Sequence, residues 1–465
     1  MSIHSIRDTI CALSTPPGAG AIAVIRVSGD QAFPVCNRLF RPGSKKNELI
    51  NAASHTIHYG LLGKGENLID EVLISIFRGP RSYTGEDVIE ISCHGSPFIQ
   101  QKILELLIGE GIRLATPGEF TLRAFLNRKF DLSQAEAVAD LIGSRSQSSH
   151  DLALNQMRGG YSEKIRKLRD QLVGFTSLIE LELDFSEEQV EFASRHDLKQ
   201  LLEEMKSELS SLIQSFSLGN VIKNGIPVAI IGKPNVGKST LLNLILNEEK
   251  AIVSEIPGTT RDSIEDTIVM EGFNFRFIDT AGLRAAEDTI ETMGIERTWQ
   301  KVSEAAIILY VFDATSDSFK DVKHALSEFS ELSENRHKKI ILIGNKADKL
   351  KTLPVGFKEF VDYETLFVSA KRKENIHLIA ESLLEAIKKA DLGDRTIVSN
   401  TRHHEALLAT DKALDGIMEG IDAGLSGDLL SSEIRSALYH LGEITGEITT
   451  DEILGSIFSR FCIGK

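Results

Sequence analysis

Tryptophan occurs once in this sequence and cysteine four times, and no two cysteines stand at C-x-x-C spacing. Cys11, Cys36, Cys93 and Cys462 therefore make neither a zinc knuckle nor a dithiol redox pair, and their scatter suits free thiols in a reducing compartment. Proline is scarce, with 11 residues, and no Pro/Gly/Ser-rich stretch marks a disordered linker. Long apolar runs are missing too. The run 305–312 reaches about 8 residues, where a membrane span needs ~20. Positive charge is in deficit: 52 Lys and Arg against 67 Asp and Glu leave a formal charge of −15, which argues against a generally basic nucleic-acid binder while allowing a local RNA-contacting patch. The first residues lack a basic region followed by an apolar core, so no secretion signal is read there. The expectation is a soluble, cytoplasmic protein without a membrane segment.

What is present suits ordinary packed domains. The 465 residues are 42% hydrophobic and 26% charged, and at ~150 residues per domain about three are expected. Residues 1–118 mix apolar runs (21–27, 72–77, 88–92) with Gly/Pro turns and a helix over 97–108, an α/β texture. Residues 119–218 read as helix, with Ile165, Leu168, Leu172, Phe175, Ile179 and Leu183 spaced by three and four along one face. That stripe is read as core packing. Strand and helix patterns alternate over 219–385, with strands at 227–231, 268–270, 273–278, 306–312, 339–343 and 366–368 and a hairpin turn at Glu271-Gly272. Such alternation predicts a mainly parallel sheet covered on both faces. Residues 386–465 return to helix, with breaks near 424–427 and a last helix over 450–461. The expected fold class is multidomain, α/β plus α, with the module at 219–385 inserted into one helical domain.

The strongest chemical signal is Gly232-Lys233-Pro234-Asn235-Val236-Gly237-Lys238-Ser239, which follows an apolar strand and opens a helix with Thr240. This is a Ras-like P-loop. Its glycines let backbone N–H groups converge on phosphate oxygens at a helix N-terminus. Lys238 would reach the β- and γ-phosphates, and the Ser239 hydroxyl would bind Mg²⁺. Three motifs follow in order. Gly258-Thr259-Thr260-Arg261-Asp262 supplies Thr260 as a switch residue on Mg²⁺ and the γ-phosphate. Asp279-Thr280-Ala281-Gly282 offers a carboxylate to hold Mg²⁺ through water and an N–H for the γ-phosphate. Asn345-Lys346-Ala347-Asp348 selects the base, because the Asp348 carboxylate would accept from guanine N1–H and the 2-amino group while adenine would leave it unpaired. Ser369-Ala370-Lys371 would complete the pocket through the Ala370 N–H. Together these predict GTP binding and hydrolysis. Leu283 stands where Ras-like proteins carry a water-orienting Gln. Glu291 could therefore act through a bridging water or be a plain loop acid, and the Asn235 carbonyl oxygen could help hold a monovalent cation.

Outside this module the residues leave alternatives open. Arg26 and Glu90 lie inside apolar strands, where a charge is costly unless paired. They are exposed, or pair with each other, or line a ligand pocket. Phe120, Arg123, Phe125, Arg128, Lys129 and Phe130 alternate base with aromatic, which suits RNA contact or a helix with a solvated face. Cys462, beside Lys465, is either an activated thiol or a bland terminal cysteine.

These segments together resemble one family, the MnmE (TrmE) tRNA-modification GTPases of the TRAFAC class. The likeness is carried by the run from Thr15 to Arg26, by 83–90, by Pro117-Gly118-Glu119-Phe120 through Lys129, by the GTPase motifs, and by the terminal Phe461-Cys462-Ile463-Gly464-Lys465. Ala19 in the glycine-rich turn is the one departure. The resemblance implies a homodimer with an N-terminal α/β folate-binding and dimerisation domain (1–118), a helical domain in two parts (119–218 and 386–465) and the inserted G domain (219–385). It implies that Arg26, Glu90, Lys129 and Lys465 line a site for 5-formyl- or 5,10-methylene-tetrahydrofolate, with Cys462 beside it in a chemical role. It further implies K⁺ held by Asn235, Ser254, Ile256 and Thr259, Mg²⁺ held by Ser239 and Thr260, and Glu291 orienting the hydrolytic water. The implied partner is the FAD-dependent MnmG, in a heterotetramer. The pair would place an aminomethyl or carboxymethylaminomethyl group on C5 of the wobble uridine of certain tRNAs. The competing expectation is a regulatory or ribosome-assembly switch GTPase without folate chemistry, which needs neither a folate pocket nor the terminal Cys-Ile-Gly-Lys.

Overall fold

The computed structural model describes residues 8–43, 48–184, 195–249, 266–278, 304–332, 338–352, 363–388, 396–425 and 427–464. The chain divides into two compact units: residues 1–142, 154–207 and 406–465 form the first, and 143–153 with 208–405 form the second. Among the described residues no helix is long and apolar enough to cross a membrane.

The first unit opens with β1 (Ile10–Leu13), β2 (Ile22–Ser28), α1 (Ala32–Leu39), β3 (Phe40–Pro42), β4 (Thr56–Lys64), β5 (Asn67–Phe77), β6 (Val88–His94), α2 (Pro97–Gly109) and β7 (Arg113–Leu114). They build one seven-stranded sheet in the order β3-β4-β5-β6-β2-β1-β7, antiparallel except where β1 meets β7. The period-two pattern decides which face is covered. Ala23, Ile25 and Val27 of β2, and Ile89, Ile91 and Cys93 of β6, join Phe33, Val35 and Leu39 of α1 and Ile103 and Leu107 of α2 in one core. The alternate residues, Arg26, Val24 and Ile22 opposite Glu90, Ser92 and His94, stand on the other face.

Next come α3 (Glu119–Leu126), α4 (Leu132–Gly143), α5 (Gln147–Met157), α6 (Gly160–Asp184) and α7 (Arg195–Asn224). Of the predicted helical stripe, Ile165, Leu168 and Leu172 are buried and Phe175 is half-buried. The side chains of Ile179 and Leu183 lie outside the described residues.

The alternation of charge and aromatics at 120–130 proves to be structural at its start. Phe120 is fully buried, and Arg123 is 1% exposed at the centre of an ion network. Its guanidinium donates to Asp8 (2.8 Å), Glu119 (2.9 Å) and Glu86 (3.2 Å), and Arg113 donates to the same Asp8 and Glu119 at 2.6 Å. Arg123 therefore serves neither an RNA surface nor a solvated helix face. A buried cation is costly unless paired, and three carboxylates pair its two Nη groups, while the Nε–H finds no acceptor among the described residues. Their hydrogen bonds hold the Asp8 carboxyl below the usual carboxylate range. Burial pushes Glu119 up, but Arg113, the Thr116 N–H and Arg123 outweigh it and the net direction is down.

The second unit is centred on a six-stranded sheet: β8 (Ile226–Ile231), then α8 (Lys238–Glu249), β9 (Asp266–Met270), β10 (Phe273–Phe277), β11 (Ile307–Asp313), α9 (Phe319–Leu332), β12 (Lys339–Asn345), β13 (Glu364–Phe367) and α10 (His377–Lys388). The order is β13-β12-β11-β8-β10-β9, parallel except for the β9–β10 hairpin. The predicted turn is present: Glu271 and Gly272 both have positive φ, 45° and 83°, as a tight twisted hairpin requires. Every residue of β8 is buried, as expected for a strand covered on both faces.

The chain closes with α11 (Thr401–Asp422), α12 (Gly427–Thr445) and α13 (Asp451–Phe458). Thr450 caps α13, its hydroxyl oxygen accepting from the Ile453 N–H at 3.3 Å. Leu454, Ile457, Phe458 and Phe461 pack with Leu132, Ala135 and Val138 of α4. This contact brings the C-terminal tail to the N-terminal sheet.

Arg123→Met should leave Glu119 and Asp8 with Arg113 as the one cation of the network and Glu86 without its Arg123 partner, lowering stability by about 3–5 kcal/mol, read as a shift of the urea transition of the full chain. A loss below about 1 kcal/mol would show that the network does not hold this region.

Candidate functional site

Parallel strands feeding helices leave a crevice beyond their C-terminal ends, and the second unit gathers its motifs there. β8 ends at Ile231, and the loop 232–237 leads into α8. Gly232 has φ +148°, and a Cβ there would lie 2.0 Å from the Val311 carbonyl oxygen. Only glycine fits at that position. Asn235 also adopts positive φ, 62°. The Lys238 ammonium folds back over the loop, donating to the carbonyls of Gly232 (2.8 Å) and Lys233 (2.7 Å). Positive charge is thus held at the mouth of a helix N-terminus, the arrangement that receives phosphate.

Asn345 ends β12 in register with Asp313 of β11. Its side chain is 3% exposed and ties three loops together. Nδ2 donates to the Val236 carbonyl at 2.8 Å, while Oδ1 accepts from the N–H of Lys346 (2.8 Å) and of Ala370 (3.0 Å). The Ala370 N–H, expected to face the base, here donates to Asn345. A backbone nitrogen has one hydrogen, and a buried amide oxygen needs a donor.

Lys346 has φ 65° and reaches the carbonyl of Asn235 (3.0 Å) and the Asp313 carboxylate (2.5 Å). Burial pushes Asp313 up, but the hydrogen bonds from Lys346 and Thr315 prevail and its carboxyl lies below the usual range. Asp348 accepts from the Ser369 hydroxyl at 2.7 Å, with Arg372 at 3.7 Å. The Ser369 hydrogen bond is the main cause holding its carboxyl below the ordinary carboxylate value. Asp348 therefore stays an acceptor at neutral pH, as a guanine edge demands.

Asp313 and Asp317 were not among the sequence-predicted residues, and Lys233 was named only as part of the loop motif. Asp317 pairs with Lys233 at 2.7 Å and so steadies the phosphate loop. An acid terminating a buried strand, level with Asn345, was the available signal for Asp313. Val236 is buried, Ser239 is half-buried on α8, and Thr240 and Lys371 are exposed. Ser254, Ile256, Thr259, Thr260, Asp279, Thr280, Ala281, Gly282, Glu291 and Lys465 lie outside the described residues.

The first unit brings Arg26 and Glu90 together. They are cross-strand partners, with guanidinium nitrogens 2.8 and 2.9 Å from Glu90 Oε1. The Arg26 guanidinium also lies over the rings of Tyr83 (4.9 Å to the centroid) and Phe120 (5.6 Å), and Tyr83 meets Phe130 edge to face. Lys129, next to Phe130, donates to the Pro80 carbonyl at 3.1 Å. The tail reaches the same place. The Gly464 carbonyl accepts from Ser14 at 3.2 Å and from Arg26 at 3.5 Å. Gly464 has φ +98°, and a Cβ there would lie 2.1 Å from the Leu13 carbonyl oxygen.

Cys462 is exposed, whereas Cys11, Cys36 and Cys93 are buried free thiols. Burial pushes those three up to about 12, 12 and 11. Cys462 is therefore the thiol with access to a reaction partner.

Asn345→Ala should remove three hydrogen bonds, two of them between loops, and weaken guanine-nucleotide binding by roughly 10–100-fold. Titration with a fluorescent GDP analogue measures this, and a change within threefold would contradict the tie.

Two family descriptions match the chain: the GTP-binding protein TrmE N-terminus over residues 9–129 and the MnmE helical domain over residues 132–462. The second match encloses the six-stranded sheet. A tRNA modification GTPase MnmE of Cytophaga hutchinsonii is 53% identical over 465 residues, covering 100% of this chain and 99% of its own. Those of Christiangramia forsetii (51%, 99% of this chain and 100% of that one) and Bacteroides fragilis (50%, likewise 99% and 100%) are similar throughout. Identity of this extent, over a chain that holds both the P-loop crevice and the Arg26–Glu90 pair, shows that it belongs to the MnmE family of tRNA modification GTPases.

Proposed function

We propose that the chain hydrolyses GTP and, with the FAD-dependent MnmG, installs an aminomethyl or carboxymethylaminomethyl group on C5 of the wobble uridine of certain tRNAs. The observation that carries the GTPase half is the Asn345 tie, which sets the phosphate loop beside the Asp348–Ser369 base site. In this reading residues 1–118 bind folate and dimerise, 119–218 and 386–465 form one helical domain, and 219–385 is the inserted G domain. That one helical-domain description spans 132–462 supports the insertion.

Within the G domain, Lys238 neutralises the β- and γ-phosphates, and Ser239 and Thr260 hold Mg²⁺. Asn235, Ser254, Ile256 and Thr259 hold K⁺, which takes the place of an activating arginine and suits Leu283 in the position of the absent Gln. Glu291 orients the attacking water. In the first unit the donor set fits a reduced folate. Glu90 can accept from the amide-like edge of a pteridine, Arg26 and the aromatic rings offer charge and stacking, and the tail closes over them. Lys129 and Lys465 supply cations for the anionic end, and Cys462 stands beside the pocket. When bound, the folate supplies the one-carbon unit, with glycine or ammonium supplying nitrogen. The gathering of tail, Arg26 and Glu90 favours this over a pure switch GTPase, which has no use for it.

Asp348→Asn should move preference from GTP towards xanthosine triphosphate by about 100-fold or more, because the acceptor becomes in part a donor. Unchanged guanine preference would refute the base site. Hydrolysis should run at least about tenfold faster in KCl than in the same concentration of NaCl, and equal rates would remove the cation from the mechanism. Calorimetry with 5-formyl-tetrahydrofolate should give saturable binding that Arg26→Ala abolishes, while no binding by the full chain would favour the switch GTPase.

A further inference from the structure

The sheet face that carries Arg26 and Glu90 also carries His94, at the end of β6, and Asp70 of β5 reaches it from a position opposite Leu62. Along β6 the residues on this face are Glu90, Ser92 and His94, and Ile22 of β2 lies opposite His94. One carboxylate holds His94 twice. Its backbone N–H donates to Asp70 Oδ2 at 2.8 Å, and its ring Nδ1 stands 2.7 Å from Asp70 Oδ1. The Asp70 side chain is 8% exposed and the imidazole 69%. A carboxylate only accepts, so Nδ1 carries the hydrogen, and in the neutral ring Nε2 holds the lone pair. Nε2 has no partner among the described residues. A buried acid that locks one tautomer and aims an exposed Nε2 outward is the arrangement of a proton acceptor. A strand rise of about 3.3 Å per residue sets the Cα atoms of Glu90 and His94 roughly 13 Å apart, so a ligand anchored at Glu90 and lying along the face comes within reach of the ring.

We propose that His94, positioned by Asp70, moves the proton in the step that opens the folate's methylene bridge and leaves the carbon bonded to the other folate nitrogen; this rests on the folate reading of the same face. The nitrogen donor, an amine, is protonated in neutral water and has no lone pair to give. Nε2 takes one of its protons, and the freed lone pair forms the new bond to the methylene carbon. The bond from that carbon to one of the two folate nitrogens breaks, its electron pair goes to that nitrogen, and the same nitrogen receives the proton from Nε2–H. No oxidant or reductant is consumed. His94 is a catalytic residue in this scheme and Asp70 a positioning residue.

The test uses the ¹⁵N-histidine-labelled full chain, with the His94 signal among the 12 histidines assigned by its loss in His94→Gln. The expected result is an Nδ1–H tautomer whose Nε2 resonance moves as 5-formyl-tetrahydrofolate is added, and which loses its fixed tautomer in Asp70→Asn. In the complete system with MnmG, tRNA and 5,10-methylene-tetrahydrofolate, His94→Gln should lower kcat for wobble modification by about 10²–10⁴-fold. Folate affinity and GTP hydrolysis should stay within threefold, and added imidazole should restore part of the rate. A wild-type chain that binds the folate while the His94 signal stays still overturns this proposal alone. So does His94→Gln modifying at the wild-type rate, or losing folate binding and activity together without imidazole rescue, which marks His94 as a strand tie. A wild-type chain that binds no folate overturns the reading beneath it.

Discussion

The Asn345 carboxamide is the point on which the nucleotide crevice depends. It is a neutral polar group in a nearly dry place, and burying it without partners would cost a few kcal/mol. It escapes that cost only if Val236, Lys346 and Ala370 each present a backbone group to it. Three loops that emerge from different strands are thereby brought to one geometry before any ligand arrives. The Asp313–Lys346 pair and the Lys233–Asp317 pair continue the same logic outward, each restraining a loop through a charge that also keeps it hydrated or paired. Phosphate and base can then be met by groups already in place, and less ordering entropy is lost on binding.

A comparable constraint operates in the first unit, where the chain ends meet. α13 packs on α4 through Leu454, Ile457 and Phe458, and the tail that follows reaches β1 with Gly464 in the left-handed region. The Arg26 guanidinium ties tail, Glu90 and two aromatic rings into one place. The unit therefore has one face of its sheet filled with apolar core, while the other carries the Arg26–Glu90 pair together with exposed Ile22, Ile57, Tyr59 and Leu73. That division is what a half-covered antiparallel sheet allows and a doubly covered parallel sheet does not. It also explains why the two candidate sites differ in construction. The first is displayed on a face, whereas the second is built at strand ends, where loops are free to carry function.

Much of this was legible in the sequence. The P-loop, the Asn345–Asp348 motif and the Glu271-Gly272 turn are local, because a tight backbone path or a strand-to-helix junction needs particular residues at neighbouring positions. Strand positions were legible for the same reason, with ends differing by one to several residues. Arg123 and Phe120 were not. Alternating bases and aromatics on a short helix carry no mark of which face is covered, and only packing against Asp8, Glu86 and Arg113 decided it. Asp70 was equally silent, being an ordinary acid until His94 came to stand beside it.

The sequence by itself determined the nucleotide chemistry, the strand–helix alternation and the family, since each rests on residues close together in the chain or on identity along its whole length. The tertiary structure decided that Arg26 pairs with Glu90, that the tail joins them, that the Ala370 N–H belongs to Asn345, and that His94 is oriented by Asp70. Those facts join positions 24 to 438 residues apart. Contacts of that kind depend on which strands become neighbours and how the core packs, and a segment's own pattern does not name its neighbours.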